Sequence, residues 1–188
     1  MSRALRIAIV GAESTGKTML AQALVERIAT LAPLRCAWVG EVLREWCDAR
    51  GRTPRADEQA AIAAEQARRI DRAAAAHDVV VCDTTPLMTA VYSAMLFDDA
   101  SLVARAIEHQ RRCELTLLTA LDLPWIADGL QRDGPQVRAP VDARIRVLMR
   151  SHALGWHLVS GSGNARVDTA LAAIRPLLRY CRPADAGG

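Results

Sequence analysis

Apolar positions recur along the chain in two alternating patterns. Ile7-Ala8-Ile9-Val10 is a short uninterrupted apolar run that predicts a strand buried on both faces. Leu20, Leu24 and Ile28 then recur at helical spacing, which predicts a helix from about Lys17 to Ala32, stopped by Pro33. Cys36-Ala37-Trp38-Val39 reads as a second strand, Val42 to Arg50 as a helix closed by Gly51, and Asp57 to Ala76 as a long helix with acids in its first turn. Asp78-Val79-Val80-Val81-Cys82-Asp83 is the clearest strand, four apolar residues between two acids. Pro86 opens the next helix, which carries Tyr92, Met95 and Leu96, and a further helix covers about Ala100 to Arg112. Leu115 to Thr119 is a fourth strand, Val141 to His152 a helix, Trp156 to Ser160 a fifth strand, and Ala165 to Arg179 the closing helix.

Strands alternating with helices at this spacing imply right-handed crossovers and one parallel sheet covered on both faces, an α/β fold of three layers with about five strands. Between Asp122 and Pro140 the composition shifts abruptly to Asp, Pro, Gly, Gln and Arg. Because periodic structure resumes afterwards, this stretch reads as a lid loop rather than a linker. Residues 1–182 are expected to form a single domain and 183–188, ending in two glycines, a frayed tail.

Composition narrows the function classes. Trp38 and Trp156, inside strands, are expected to pack the core, which must otherwise be mostly aliphatic because aromatics are only 4% of the chain. A net charge of +3, with basic residues scattered among acidic ones, lacks the concentrated stripe that tracks a nucleic-acid backbone. No apolar stretch reaches membrane length without a charge. Cys36, Cys47, Cys82, Cys113 and Cys181 are odd in number and contain no C-x-x-C pair, which points to reduced thiols in a cytoplasmic setting.

The chemistry is concentrated after the first strand. Gly11-Ala12-Glu13-Ser14-Thr15-Gly16-Lys17-Thr18 fits G-x-x-x-x-G-K-[ST] at each fixed position and lies between a strand and a helix, as a phosphate loop requires. Its glycines let the backbone approach an anion, and successive N–H groups converge on phosphate oxygens. Lys17 is placed for the β- and γ-phosphates of ATP and the Thr18 hydroxyl for Mg²⁺. The ordinary alternative is a chance glycine-rich turn.

Ligands of open α/β sheets collect at the carboxyl ends of strands, so the polar residues there come next. Asp83 ends its strand in the manner of a Walker B acid that holds Mg²⁺, or else caps the helix begun by Pro86. Glu41 is the first choice for the carboxylate that takes the acceptor's proton or binds sugar hydroxyls, or else a solvated charge at a helix start. Arg44 lies one helical turn on, and Arg132 and Arg138 in the loop are candidates to neutralise charge on the transferring phosphoryl group when a lid closes. Trp46, Tyr92 and Trp125 are placed to meet a ligand ring, the segment Gly161 to Ala165 to pass beside an adenine or simply to turn, and the four histidines to serve structure.

Together the Glu-bearing phosphate loop, Glu41-x-x-Arg44, Asp83-Thr84-Thr85 and Pro124-Trp125-x-x-Asp128-Gly129-x-x-Arg132 resemble the ribosylnicotinamide kinase domain of the NadR family, of the AAA_28 type of P-loop protein. The likeness runs over most of the chain. Ala12, Gly40 and Thr85 stand where that family usually carries Pro, Pro and a second acid. The resemblance implies a P-loop kinase fold and ATP-dependent phosphorylation of nicotinamide riboside to the mononucleotide, with the Arg132 region as lid. It also implies acceptor contacts at Glu41, Arg44, Asp83, Tyr92, Trp125 and Asp128. The other readings are a regulatory ATPase that switches a protein partner, and a kinase for a different nucleoside-like acceptor.

Overall fold

The computed structural model describes residues 4–126 and 134–181. Five strands form one parallel sheet in the order β2-β3-β1-β4-β5: β1 (Leu5–Val10), β2 (Cys36–Val39), β3 (Val79–Asp83), β4 (Leu115–Thr119) and β5 (His157–Val159). β1 is central, pairing Ile9 with Asp83 on one side and with Leu117 on the other. The chain first fills one side of β1 and then crosses to the other. The ends of β1, β3 and β4 therefore flank the crevice where such sheets bind ligands.

The alternation along each strand sorts the core into two layers. Ile7, Ile9, Val79, Val81, Leu115 and Leu117 face α1 (Lys17–Leu31) and α7 (Gly163–Leu178), meeting Leu20, Leu24, Ile28, Leu171 and Ile174. The opposite positions face the helices α2 (Val42–Arg50), α3 (Ala56–Ala76), α4 (Pro86–Phe97), α5 (Val103–Gln110) and α6 (Arg138–Ser151). There Val10 and Leu118 pack with Leu43, Leu87, Val91, Ile145 and Met149, and Val80 and Cys82 pack with Ile70. Each fully buried aliphatic side chain contributes roughly 1.5–3 kcal/mol, so this double core is the main source of stability.

Several expectations shift at element ends. α6 starts at Arg138, after a 3-10 turn at Pro135–Val137, rather than at Val141. Pro140 falls in its first turn, where the missing N–H has no intrahelical partner to lose. Arg138 is thus a helix residue and not part of the loop. α5 is shorter than expected because Asp99 accepts the Ser101 N–H at 2.9 Å and turns the chain before the helix begins. α7 begins two residues early and keeps Pro176 within its last turn. Trp38, expected in the core, is 42% exposed because β2 is an edge strand with no neighbour on its outer side. Trp156 is half-buried, with Arg146 and Arg150 over its ring.

The five cysteines are unpaired, and among the described residues no helix is long and apolar enough to cross a membrane. The tail expected at 183–188 lies outside the described residues.

Candidate functional site

The phosphate loop leaves β1 at Gly11, whose φ is +154°, and enters α1 through Gly16 at φ +73°. Both angles suit glycine, and Gly11 also lacks space: a Cβ there would lie 2.0 Å from Thr119 Oγ1. The loop is tied internally and to β4. Thr15 Oγ1 donates to Ala12 O at 2.7 Å and lies 2.7 Å from Thr119 Oγ1. Lys17 Nζ donates to Ala12 O at 2.9 Å, which parks the ammonium in the loop's cradle. Ser14 holds a positive φ of 52°, strain that a non-glycine residue tolerates only where its surroundings fix it. Its Oγ accepts the Ile126 N–H at 2.8 Å, so the segment after β4 is pinned across the loop.

Asp83 is 1% exposed at the end of β3 and accepts the Thr18 hydroxyl at 2.5 Å through Oδ2. Its other oxygen, Oδ1, is buried without a hydrogen-bond partner. Burial pushes the Asp83 carboxyl above the usual range, opposed by the Thr18 hydrogen bond and by Lys17. Asp83 does not cap α4. That role falls to Thr85, whose hydroxyl accepts the Leu87 N–H, donates to Gln110 Oε1 at 2.6 Å, and so joins a chain that Gln110 extends to Thr116.

Glu41 sits at the N-cap of α2, yet makes no side-chain capping bond and is only 12% exposed at its side chain. It is therefore not a solvated helix-start charge. Burial raises its pKa most, Lys17 counteracts, and nearby Asp83 raises it further. Gln66 of α3 fixes its backbone: Oε1 accepts the Val42 N–H at 2.8 Å and Nε2 donates to Gly40 O at 3.1 Å. Arg44 Nε lies 4.0 Å from Glu41 Oε2, with its own side chain 47% exposed.

These residues border a row of neighbouring spaces that share walls. One of about 240 Å³ is lined by Gly16, Met19, Leu20, Gly163 and Asn164, with Leu123 between it and the next. The next, about 460 Å³, runs over Ser14 to Thr18 and reaches Glu41 and Arg44. Beyond Lys17 a narrow gap is bounded by Glu13, Glu41, Arg44, Tyr92 and Trp125. Glu13 and Tyr92 are also walls of a larger cavity of about 590 Å³.

Of the residues singled out from sequence, the phosphate loop, Glu41, Arg44, Asp83, Tyr92 and Trp125 thus come together. Asp128 and Arg132 lie outside the described residues. Arg138 is 7% exposed rather than loop-borne, and its Nη1 donates to Leu123 O at 2.9 Å, steadying the segment that covers the phosphate loop. Its Nε and Nη2 are buried without partners. Trp46 stands apart from these spaces, half-buried beneath Arg50 and Arg52.

Sequence reasoning missed Gln66, Thr119 and Arg166. Arg166, 4% exposed in the first turn of α7, donates to Thr15 O, Gly161 O and Asp122 Oδ1 at 2.9, 2.8 and 2.8 Å. Asp122 in turn accepts the Gly161 N–H at 2.6 Å, closing a bracket between the phosphate loop and the ends of β4 and β5. The sequence held one clue, an arginine three residues after the second glycine of Gly161-Ser162-Gly163 at a strand end, which resembles an ordinary surface charge until the fold buries it.

Comparison with known proteins agrees with this architecture. Two structures of NadR protein, one with NAD and AMP-PNP and one with NR, are similar over 95% and 98% of the chain, with TM-scores of 0.72 and 0.71 and identities of 18% and 17%. The chain spans about half the length of those proteins, 50% and 53%. Thymidylate kinase from Ehrlichia chaffeensis is similar over 93% of this chain and 99% of its own, with a TM-score of 0.64 and 14% identity. No curated protein matches the sequence. The model of the AAA_28 family, described as an AAA domain, matches residues 6–166. The chain belongs to this AAA_28 family, and its three-layer α/β fold is the P-loop kinase fold of NadR and thymidylate kinase.

Proposed function

We propose that the protein is an ATP-dependent kinase that transfers the γ-phosphoryl group to a riboside hydroxyl, with nicotinamide riboside as first-choice acceptor and nicotinamide mononucleotide as product. The observation that carries this reading is the succession of adjoining spaces that share walls beside the phosphate loop. The small apolar space at Met19, Leu20 and Asn164 suits a purine ring, and the phosphate space leads from it to Lys17. Beyond Lys17, the narrow gap between Glu41, Tyr92 and Trp125 admits the hydroxyl end of an acceptor whose bulk sits in the adjoining cavity walled by Glu13 and Tyr92. A purely hydrolytic switch needs an oriented water and no such pocket.

The roles follow from the placement. Backbone amides from Glu13 to Thr18 cradle the phosphates, and Lys17 leaves Ala12 O for phosphate oxygens once ATP is bound. Mg²⁺ fits the Thr18 and Asp83 pair, because both present hard oxygen atoms and Asp83 Oδ1 has no other partner. When bound, the ion neutralises charge on the phosphates. Glu41 takes the proton from the acceptor hydroxyl or orients it, with Asp83 as the alternative base. Arg44 and Arg138 supply positive charge from α2 and α6; for Arg132 and Asp128, outside the described residues, the family resemblance is what supports a lid charge and an acceptor contact. The five unpaired thiols support a reducing, cytoplasmic setting.

The deciding experiment is ADP release from Mg²⁺-ATP with and without nicotinamide riboside, alongside other ribosides, thymidine and thymidine monophosphate. Strong riboside-dependent release is expected. Equal slow hydrolysis across the panel would transfer the assignment to a regulatory ATPase. A response to thymidine or thymidine monophosphate alone would make the protein a kinase for another nucleoside-like acceptor, a reading supported by a fold shared over nearly the whole length of a thymidylate kinase.

A further inference from the structure

Thr84 holds a strained backbone angle next to Asp83. It lies between the end of β3 and Thr85 at the N-cap of α4, is 3% exposed, and has φ at +68°. Among the described residues, Ser14, Asp98 and Ala153 are the other non-glycine residues in the left-handed region, and none of them is β-branched. A branched Cβ makes that region costly, so such a residue stays there only where its surroundings fix it.

The neighbours of Thr84 cannot share the turn. Asp83 is still in the ladder, paired with Ile9, and the Thr84 N–H donates to Ile9 O at 3.1 Å. Pro86 at the start of α4 disfavours the helical region for Thr85, which is accordingly extended at φ −138° and ψ 173°. The change of direction from strand to helix therefore falls on Thr84. A buried polar clamp holds it there. Thr85 Oγ1 donates to Gln110 Oε1 at 2.6 Å, and Gln110 Nε2 donates to Thr116 Oγ1 at 2.8 Å. Gln110, 1% exposed at the end of α5, thus fastens the turn after β3 to β4, a strand that is not β3's neighbour in the sheet.

We infer that Gln110 is a positioning residue for the Thr18 and Asp83 pair: through Thr85 it keeps Thr84 left-handed, and so keeps the Asp83 carboxylate turned toward Thr18 and the phosphate loop. Two buried hydrogen bonds and one strained residue are of comparable energy, so losing the clamp is enough to let Thr84 relax. Relaxation swings the peptide next to Asp83, whose Oδ2 now accepts the Thr18 hydroxyl at 2.5 Å. The assignment rests on the kinase reading, in which that pair holds Mg²⁺, and adds the device that sets its geometry.

The test uses the full chain and measures two quantities, the affinity for ATP with Mg²⁺ and in EDTA, by calorimetry, and the unfolding midpoint. Gln110→Met fills similar space without the bonds. It is expected to weaken the Mg²⁺-dependent part of ATP binding about tenfold while the affinity in EDTA changes little. Thr85→Val should do the same, and Thr85→Ser, which keeps the hydroxyl, should bind like the wild type. Glycine takes the left-handed angle without strain, so adding Thr84→Gly to Gln110→Met should restore most of the lost Mg²⁺ dependence although it rebuilds no hydrogen bond.

A lowered midpoint with unchanged Mg²⁺ dependence in Gln110→Met overturns the assignment, because it marks a glutamine that only supports the fold. So does a loss that Thr84→Gly leaves unmended. Should Gln110→Met fail to fold, Thr85→Ser and Thr85→Val decide the matter, and equal Mg²⁺ dependence in those two overturns the assignment. The wild type separates this inference from the reading beneath it. ATP binding that ignores Mg²⁺ in the wild type removes the metal site and Gln110's role with it; strong dependence that Gln110→Met leaves intact removes only the role of Gln110.

Discussion

Arg166 Nη2 donates to the carbonyl of Thr15 at 2.9 Å, joining residues 151 positions apart. The guanidinium thereby props the phosphate loop from behind, while its remaining bonds secure Asp122 and Gly161. A loop whose amides must converge on an anion gains from having a carbonyl turned away and held, since a free carbonyl pointing inward would repel phosphate. Arg166→Ala is expected to raise the KM for ATP and to cost about 2 kcal/mol of stability, the usual scale for a buried charged hydrogen-bonding group. Arg166→Lys keeps the charge without the planar fork and should fall between. Denaturant unfolding and ATP titration check both, and an unaltered KM in Arg166→Ala would remove the loop-positioning role.

Gly11 is constrained twice, by its φ and by Thr119 Oγ1 at 2.0 Å from any added Cβ. Gly11→Ala should cost at least about 2 kcal/mol and abolish nucleotide binding, because the loop can relieve the clash only by moving off β4. Pairing it with Thr119→Ala removes the nearest atom but not the backbone strain. Partial recovery of the unfolding midpoint is expected, and full recovery would show that φ contributes nothing.

The buried carboxyl of Glu41 keeps its proton to a higher pH than the usual 4.5, chiefly through desolvation. Between 4.5 and its raised value the folded state binds more protons than the unfolded one, so this group makes stability fall as pH rises through that window. Glu41→Gln should remove that loss and be the more stable protein at neutral pH. Its kcat should drop roughly 10²- to 10⁴-fold, and the rise of activity with pH that follows Glu41 ionisation should vanish. Retention of that limb in the variant would assign it to Asp83 instead.

For the metal site, Asp83→Asn and Thr18→Val should each weaken Mg²⁺-dependent nucleotide binding by roughly tenfold or more, while affinity for ATP measured in EDTA changes little. Because burial raises the Asp83 carboxyl, wild-type Mg²⁺ dependence should weaken on acidification before that of an ordinary exposed aspartate. Calorimetric Mg²⁺ titrations at several pH values read this directly. Equal effects with and without metal would reassign the pair to backbone support.

The parts of this protein that are local in sequence were legible from it. β1, β3 and the phosphate loop announce themselves through contiguous apolar runs and fixed glycine and lysine spacing, and the structure has all three where expected. Trp38 misled because burial of a strand depends on its place in the sheet, and β2 lies at an edge. Pro140 misled because its effect depends on which turn of a helix it occupies. Arg166, Gln66 and Thr119 were illegible for a common reason. Each acts on a backbone carbonyl, a backbone amide or a side chain far away in the chain, and no short motif encodes such pairings.

The central position of β1 sets the timetable by which this protein matures on the ribosome. Its sheet neighbours arrive in stages: β3 ends at Asp83, β4 brings Thr119, and the guanidinium behind Thr15 belongs to α7. The phosphate loop is translated 151 positions ahead of Arg166, so it gains its last brace only after β3, β4 and β5 have all been made. Nascent chains stalled before residue 166 should therefore carry the complete glycine-lysine motif and still hold nucleotide poorly.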